Sequence, residues 1–190
     1  SLLVFVSMSS WAQNSIFIDQ QSGSANNVVT IEQVGTNSIT GIGTTYAVLS
    51  GTSNSIYLNQ NSTISSNLIE FNVVGASNII SVNQGYISGN LPPISAINAL
   101  DSGGHLGILT VNGNSNYLGI QQTNNGTLNS GHTIQTIITG SNNTVTGLQN
   151  GSASHYADIS VTGDSNSINL MQDSIASKTA SITAINAGAA

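Results

Sequence analysis

Three histidines have the plainest capacity for chemistry in this chain. His105, His132 and His155 each stand eight residues before a glycine, namely Gly113, Gly140 and Gly163. Imidazoles recurring at one place in a repeat offer two kinds of chemistry: lone pairs that chelate a metal, and a charge that switches on near pH 6. If successive repeats stack about 5 Å apart, the three rings form a column. The plainer reading, adopted here, makes each His a polar strand-end residue bonded to its neighbours. No metal or other cofactor is then expected, and acidification below about pH 6 is expected to loosen whatever the stack builds.

Other reactive constellations are missing. No pair of carboxylates is placed for acid–base work, and no Gly-x-Ser-x-Gly elbow falls at a strand–helix junction. Ser102-Gly103-Gly104 precedes an expected strand and has no lysine nearby, so it makes no phosphate cradle. Asp164 is the lone acid in a turn, too few for repeated calcium sites. The chain has no cysteine, which rules out disulfides and thiolate chemistry. Its single basic residue, Lys178, and net charge of −6 give it nothing with which to neutralise phosphates, so nucleic acid is not an expected partner. It reads as a protein that is not an enzyme.

The elements that would position these residues follow from a repeat. A heptad of Asn, two apolar positions at alternate places, and Gln recurs as Asn14–Gln20, Asn27–Gln33, Asn54–Gln60, Asn78–Gln84, Asn116–Gln122, Asn143–Gln149 and Asn166–Gln172. Three residues before most of these asparagines stands a turn glycine: Gly51, Gly75, Gly113, Gly140 or Gly163. A second alternating segment precedes each glycine, as in 67–74, 105–112, 132–139 and 155–162. Each repeat is therefore strand, tight turn, strand and polar loop. Their spacing of about 22–27 residues, with one longer interval, falls in the range of solenoids. The longer interval holds an insertion, 85–104, with both prolines, Pro92 and Pro93, which are expected to loop out of a ladder they cannot join. Residues 180–188 resemble the first strand of a further repeat, while 33–43 fit the pattern poorly.

Alternation assigns the faces. Positions two, four and six before each glycine, and two and four after each Asn, are mostly aliphatic and share a parity with the flanking Asn and Gln. Asp19, Glu32, Glu70 and Asp158 all fall on the opposite parity, as a desolvated interior requires. Charged residues make up only 4% of the chain, against about 25% in ordinary domains, leaving Asn, Ser, Thr, Gln and Gly to cover the surface. Inward amides need partners. Parallel stacking supplies them, because identical amides sit above one another and donate along the axis. The expected fold is an all-β, parallel β-solenoid occupying 13–190.

These motifs resemble curlin repeats, which build bacterial curli fibres. Those follow Ser, five residues, Gln, one, Gly, two, Asn, five, Gln. The segment from Gly140 through Asn143 to Gln149 matches the second half, as do those starting at Gly51, Gly75, Gly113 and Gly163. In the first half the chain has Asn27, Asn67, His105, His132 and His155 where the family has Ser. It has Leu49, Val73, Val111, Ile138 and Val161 where the family has Gln, and only Gln33 keeps that identity. The resemblance is to a divergent curlin-like relative. It implies a structural subunit of a secreted extracellular amyloid fibre serving biofilm matrix and surface adhesion, exported and nucleated by a dedicated machinery.

The assembly residues expected on this basis are Asn54, Gln60, Asn78, Gln84, Asn116, Gln122, Asn143, Gln149, Asn166 and Gln172, together with the five turn glycines. Residues 1–12, an apolar run ending in Ser10-Trp11-Ala12, read as the remnant of a signal peptide cleaved before Gln13, and are set aside from the fold. No 18-residue apolar run suggests a membrane-spanning helix. The alternative function is a monomeric or phage-borne β-solenoid adhesin that binds a glycan or receptor through its insertion.

Overall fold

The computed structural model describes residues 2–9, 15–21, 23–35, 38–40, 47–62, 66–87, 96–97, 103–124 and 131–185. Among them the chain is strand and turn with no helix. In order come β1 (Leu2–Ser9), β2 (Ser15–Ile16), β3 (Ile18–Gln20), β4 (Asn27–Gly35), β5 (Ile39–Thr40) and β6 (Ala47–Ser50). There follow β7 (Ser55–Ser62), β8 (Leu68–Val74), β9 (Ile79–Gln84), β10 (Tyr86–Ile87), β11 (Ala96–Ile97) and β12 (Leu106–Asn112). The last are β13 (Tyr117–Asn124), β14 (Thr133–Thr139), β15 (Thr144–Gly151), β16 (Tyr156–Thr162), β17 (Ser167–Asp173) and β18 (Thr179–Ile185).

These strands stack as a parallel β-solenoid with two faces. The first sheet runs β1-β4-β7-β9-β13-β15-β17. The second runs β18-β16-β14-β12-β8-β5-β2, with β3 and β6 prolonging the rows of β2 and β5. Tight turns carry the chain from the second sheet to the first, and polar loops carry it back. Within the insertion, β10 and β11 pair antiparallel with each other in a sheet of their own; Pro92 and Pro93 lie outside the described residues.

The core lies between the sheets and is built of columns. Val29, Ile56, Ile80, Leu118, Val145 and Ile168 follow one another in register in the first sheet, as do Ile31, Leu58, Val82, Ile120, Gly147 and Leu170. Opposite them stand Leu49, Val73, Val111, Ile138 and Val161. All are buried, and alternation of side chains across a pleated strand places them there. Where a column carries a glycine, the facing sheet fills the space: a methyl at Gly147 would meet Ile134 Cδ1. Asp19, Glu32, Glu70 and Asp158 are each partly exposed on the outer faces.

Of the two placements that the sequence reading assigns to Asn27 and Gln33, the structure keeps the heptad and corrects the other. Asn27 and Gln33 pair with Asn54 and Gln60, so they belong to the second half of the motif and not to its first. Gly35 accordingly ends β4 instead of making a tight turn, and the following row of the second sheet is split into β5 and β6. Seven residues separate Thr40 from Val48 where two separate their partners Ile69 and Asn72, which hides the register from sequence spacing. Residues 2–9, set aside in the sequence reading, form β1 on the edge of β4. The expected cleavage point between 12 and 13 lies outside the described residues.

Candidate functional site

The tight turns place the asparagines. In each turn the glycine takes a positive φ, from 92° at Gly163 to 137° at Gly113. The residue just before the Asn is also left-handed: Ser53, Ser77, Ser115, Asn142 and Ser165 have φ of 55–61°. Ser and Asn therefore fill a conformation that β-branched residues avoid. Glycine is required for a second reason. A Cβ on Gly51, Gly75, Gly113 or Gly140 would lie inside the carbonyl oxygen of the next glycine in the stack.

Each Asn so placed makes three bonds along the axis. Asn78 donates its backbone N–H and its Nδ2 to Asn54 Oδ1, at 2.9 and 3.0 Å, and its other Nδ2 hydrogen to the carbonyl of Gly113 at 2.9 Å. Asn54, Asn116 and Asn143 repeat this pattern. Asn166 makes both bonds back to Asn143 Oδ1 and turns its remaining Nδ2 hydrogen to the carbonyl of Thr162. The row from Asn27 to Asn166 is continuous: each Asn-to-Asn bond is donated toward the preceding rung, while the other Nδ2 hydrogen of Asn27 through Asn143 reaches the turn glycine of the following rung.

The glutamines form a second row running the other way. Gln33 donates to Gln60, Gln60 to Gln84, Gln84 to Gln122, Gln122 to Gln149 and Gln149 to Gln172, with Nε2–Oε1 distances of 2.8–3.1 Å. The second Nε2 hydrogen crosses to the opposite sheet, reaching the carbonyls of Ile39, Leu68, Leu106, Thr133 and Tyr156. The Gln row thus clamps the two sheets together. All ten expected Asn and Gln residues lie in one of the two rows, and Asn27 and Gln33 join them. From Asn54 to Gln149 they are fully buried or within one per cent of it, so each amide depends on the rung beside it for solvation.

The histidines form a third row. His105 and His132 ring centroids are 5.1 Å apart, and His132 and His155 are 4.8 Å apart, with interplanar angles of 26° and 9°. The Nδ1 atoms of His105, His132 and His155 accept the backbone N–H of His132, His155 and Lys178 respectively. The Nε2 atoms of His132 and His155 face the carbonyls of Thr123 and Asn150 at 2.6 and 2.8 Å. With Nδ1 accepting, Nε2 carries the hydrogen and the ring is neutral. A metal would have to displace backbone bonds to reach either nitrogen of these two rings. Among the described residues no group of three His, Cys, Asp or Glu is arranged to hold one.

No protein-family model, curated protein or solved structure matches the chain. The chemistry of the rows themselves therefore carries the functional reading. No described helix is long and apolar enough to cross a membrane.

Several participants escape sequence reading. The turn carbonyls that accept from Asn Nδ2 are backbone atoms, and nothing in the sequence marks them. Asn59 donates to Asn83 Oδ1 at 2.9 Å on the outer face of the first sheet, where both are buried. Thr123, Asn150 and Asp173 form a further chain of bonds on that face. The polar residues recurring at these outward places were the available signal. Thr136 interrupts an otherwise apolar inward column, and its buried Oγ1 has no hydrogen-bond partner.

Proposed function

We propose that this chain is the structural subunit of a secreted, extracellular amyloid-type fibre, formed by end-to-end stacking of solenoids, which serves biofilm matrix and surface adhesion. The supporting observation is the opposed direction of the Asn and Gln rows. At the end nearer the C-terminus, Asn166 Oδ1 receives no donor from the described residues, and Gln172 Nε2 gives one hydrogen to them, to the carbonyl of Tyr156. At the other end, Gln33 Oε1 is buried without a donor. One end thus lacks a donor for its Asn row and has a Gln hydrogen to give, while the other lacks a donor for its Gln row. Such ends satisfy one another head to tail. Head-to-tail contact is the arrangement that continues each row with its own kind of side chain.

At the Gln33 end, β1 places Leu2 opposite Asn27 and Met8 opposite Gln33, and neither residue carries an amide. Loss of residues 1–12 as an export signal would leave the edge of β4 open to a ladder partner. Direct seating of that β4 on another copy's β17 would set β2 and β3 against β16, displacing β18, which extends the second sheet one strand past β16. Open strand edges of this kind recruit further chains.

The test is incubation of the purified 13–190 chain, followed by thioflavin fluorescence, electron microscopy and fibre diffraction. Expected are unbranched fibres with a meridional spacing near 4.8 Å. A chain that stays monomeric at high concentration refutes the reading and favours a capped solenoid that binds a glycan or receptor.

A further inference from the structure

We infer that the histidine column is an acid-operated lock on the part of the solenoid from β12 to β18, closed at neutral pH and opened by protonation. Its basis is a substitution in kind along one column. Asn67 stands one rung before His105, and its Oδ1 accepts the backbone N–H of His105 at 3.0 Å. In each of the next three rungs, His Nδ1 accepts the following backbone N–H at 3.1–3.2 Å. Imidazole Nδ1 therefore does the work of the Asn carbonyl, with one difference. An amide oxygen does not protonate in the physiological range, whereas a neutral imidazole does.

A proton on Nδ1 removes the acceptor that the next rung's N–H needs and turns two donors toward each other. It also places a charge in a site that is no more than 1% exposed, beside a second ring at about 5 Å. The described groups around the column are mostly neutral or exposed. From β13 and β15 come the carbonyls of Thr123 and Asn150. From β17 comes the exposed carboxylate of Asp173, which accepts from Asn150 Nδ2. Along the column stands Lys178, itself cationic and exposed. Glu70, Asp158 and Tyr156 belong to the outer face of the second sheet, where the Tyr156 hydroxyl accepts from Gln135. Asp101 lies outside the described residues.

The sign follows from proton counting. Opening a rung releases the imidazole Nδ1 from the backbone N–H it accepts and leaves that nitrogen free to take a proton. Opening thus binds up to three protons, and acid favours it. The rungs from β4 to β9 have Ser38 and Asn67 in this column and carry no such dependence.

Amide hydrogen exchange on the folded full chain, dispersed or assembled, at pH 7.5 and pH 5.0 tests this, with rates corrected for intrinsic exchange. In the native sequence, peptides from 103–185 are expected to lose protection at pH 5.0 at least about tenfold more than peptides from 47–87. The combined variant His105→Asn, His132→Asn and His155→Asn is expected to match native protection at pH 7.5 and to keep it at pH 5.0. Equal loss across both regions, the same loss in the variant, or a variant unprotected at pH 7.5 each overturns the inference. The readout concerns the fold of one chain, so it stands apart from whether fibres form.

Discussion

Gln149→Glu isolates the contribution of an inward amide, because it preserves shape and changes only donors and charge. Gln149 accepts from Gln122 at 2.9 Å and donates to Gln172 Oε1 at 2.8 Å and to the carbonyl of Thr133 at 2.9 Å. A carboxylate still accepts the first bond but gives neither of the others. Two buried acceptors lose their donor, at about 1–3 kcal/mol each, and face an anion. Burial of that unpaired charge adds several kcal/mol more. The total approaches the 5–15 kcal/mol that holds a typical domain together, so the rungs around β15 are expected to open. The carboxyl is driven toward its protonated form, and its penalty grows as pH rises above about 4.3, the ordinary Glu value. Gln135→Glu is the outward control: Gln135 points outward, loses a bond to the Tyr156 hydroxyl and gains a like-charged neighbour in Asp158 across the ladder, together worth about 1–2 kcal/mol in contact with solvent. Hydrogen exchange of 131–173 and the thioflavin lag time are the assays. Comparable effects from the two substitutions would refute the role given to the inward row.

Gly75→Ala is expected to cost several kcal/mol, since its Cβ would collide with the Gly113 carbonyl and φ is 132°. Gly107→Ala, whose Cβ would meet only ordinary contacts from 3.6 Å outward, is expected to be nearly neutral; thermal unfolding of the pair checks the contrast. Thr136→Val removes a buried hydroxyl that has no partner and is expected to raise stability by about 1 kcal/mol. A fall in denaturation midpoint would show that the hydroxyl is solvated in solution.

Strand content, the turn glycines and the inward parity of Asn, Gln and aliphatic residues were legible in the sequence. Each is a local property: alternation across a pleated strand makes parity a matter of counting, and the charges on the opposite parity checked the count. The stacking of His105, His132 and His155 was legible for the same reason, since each keeps the same distance from its glycine. The register of Asn27 and Gln33 was not, because loops of unequal length separate rungs and spacing alone leaves two fits.

Tertiary structure alone decided where each hydrogen bond goes. An Asn or Gln side chain can donate up or down the axis, and only the neighbouring rung, 23 to 38 residues away in sequence, fixes the choice. That is why the two amide rows could be foreseen but their opposite directions could not. It is also why the sequence reading could make each His a strand-end residue bonded to its neighbours but could not name the backbone N–H that its Nδ1 accepts. The sequence by itself determined which side chains meet inside the solenoid; the stacking of rungs determined which lone pair meets which hydrogen.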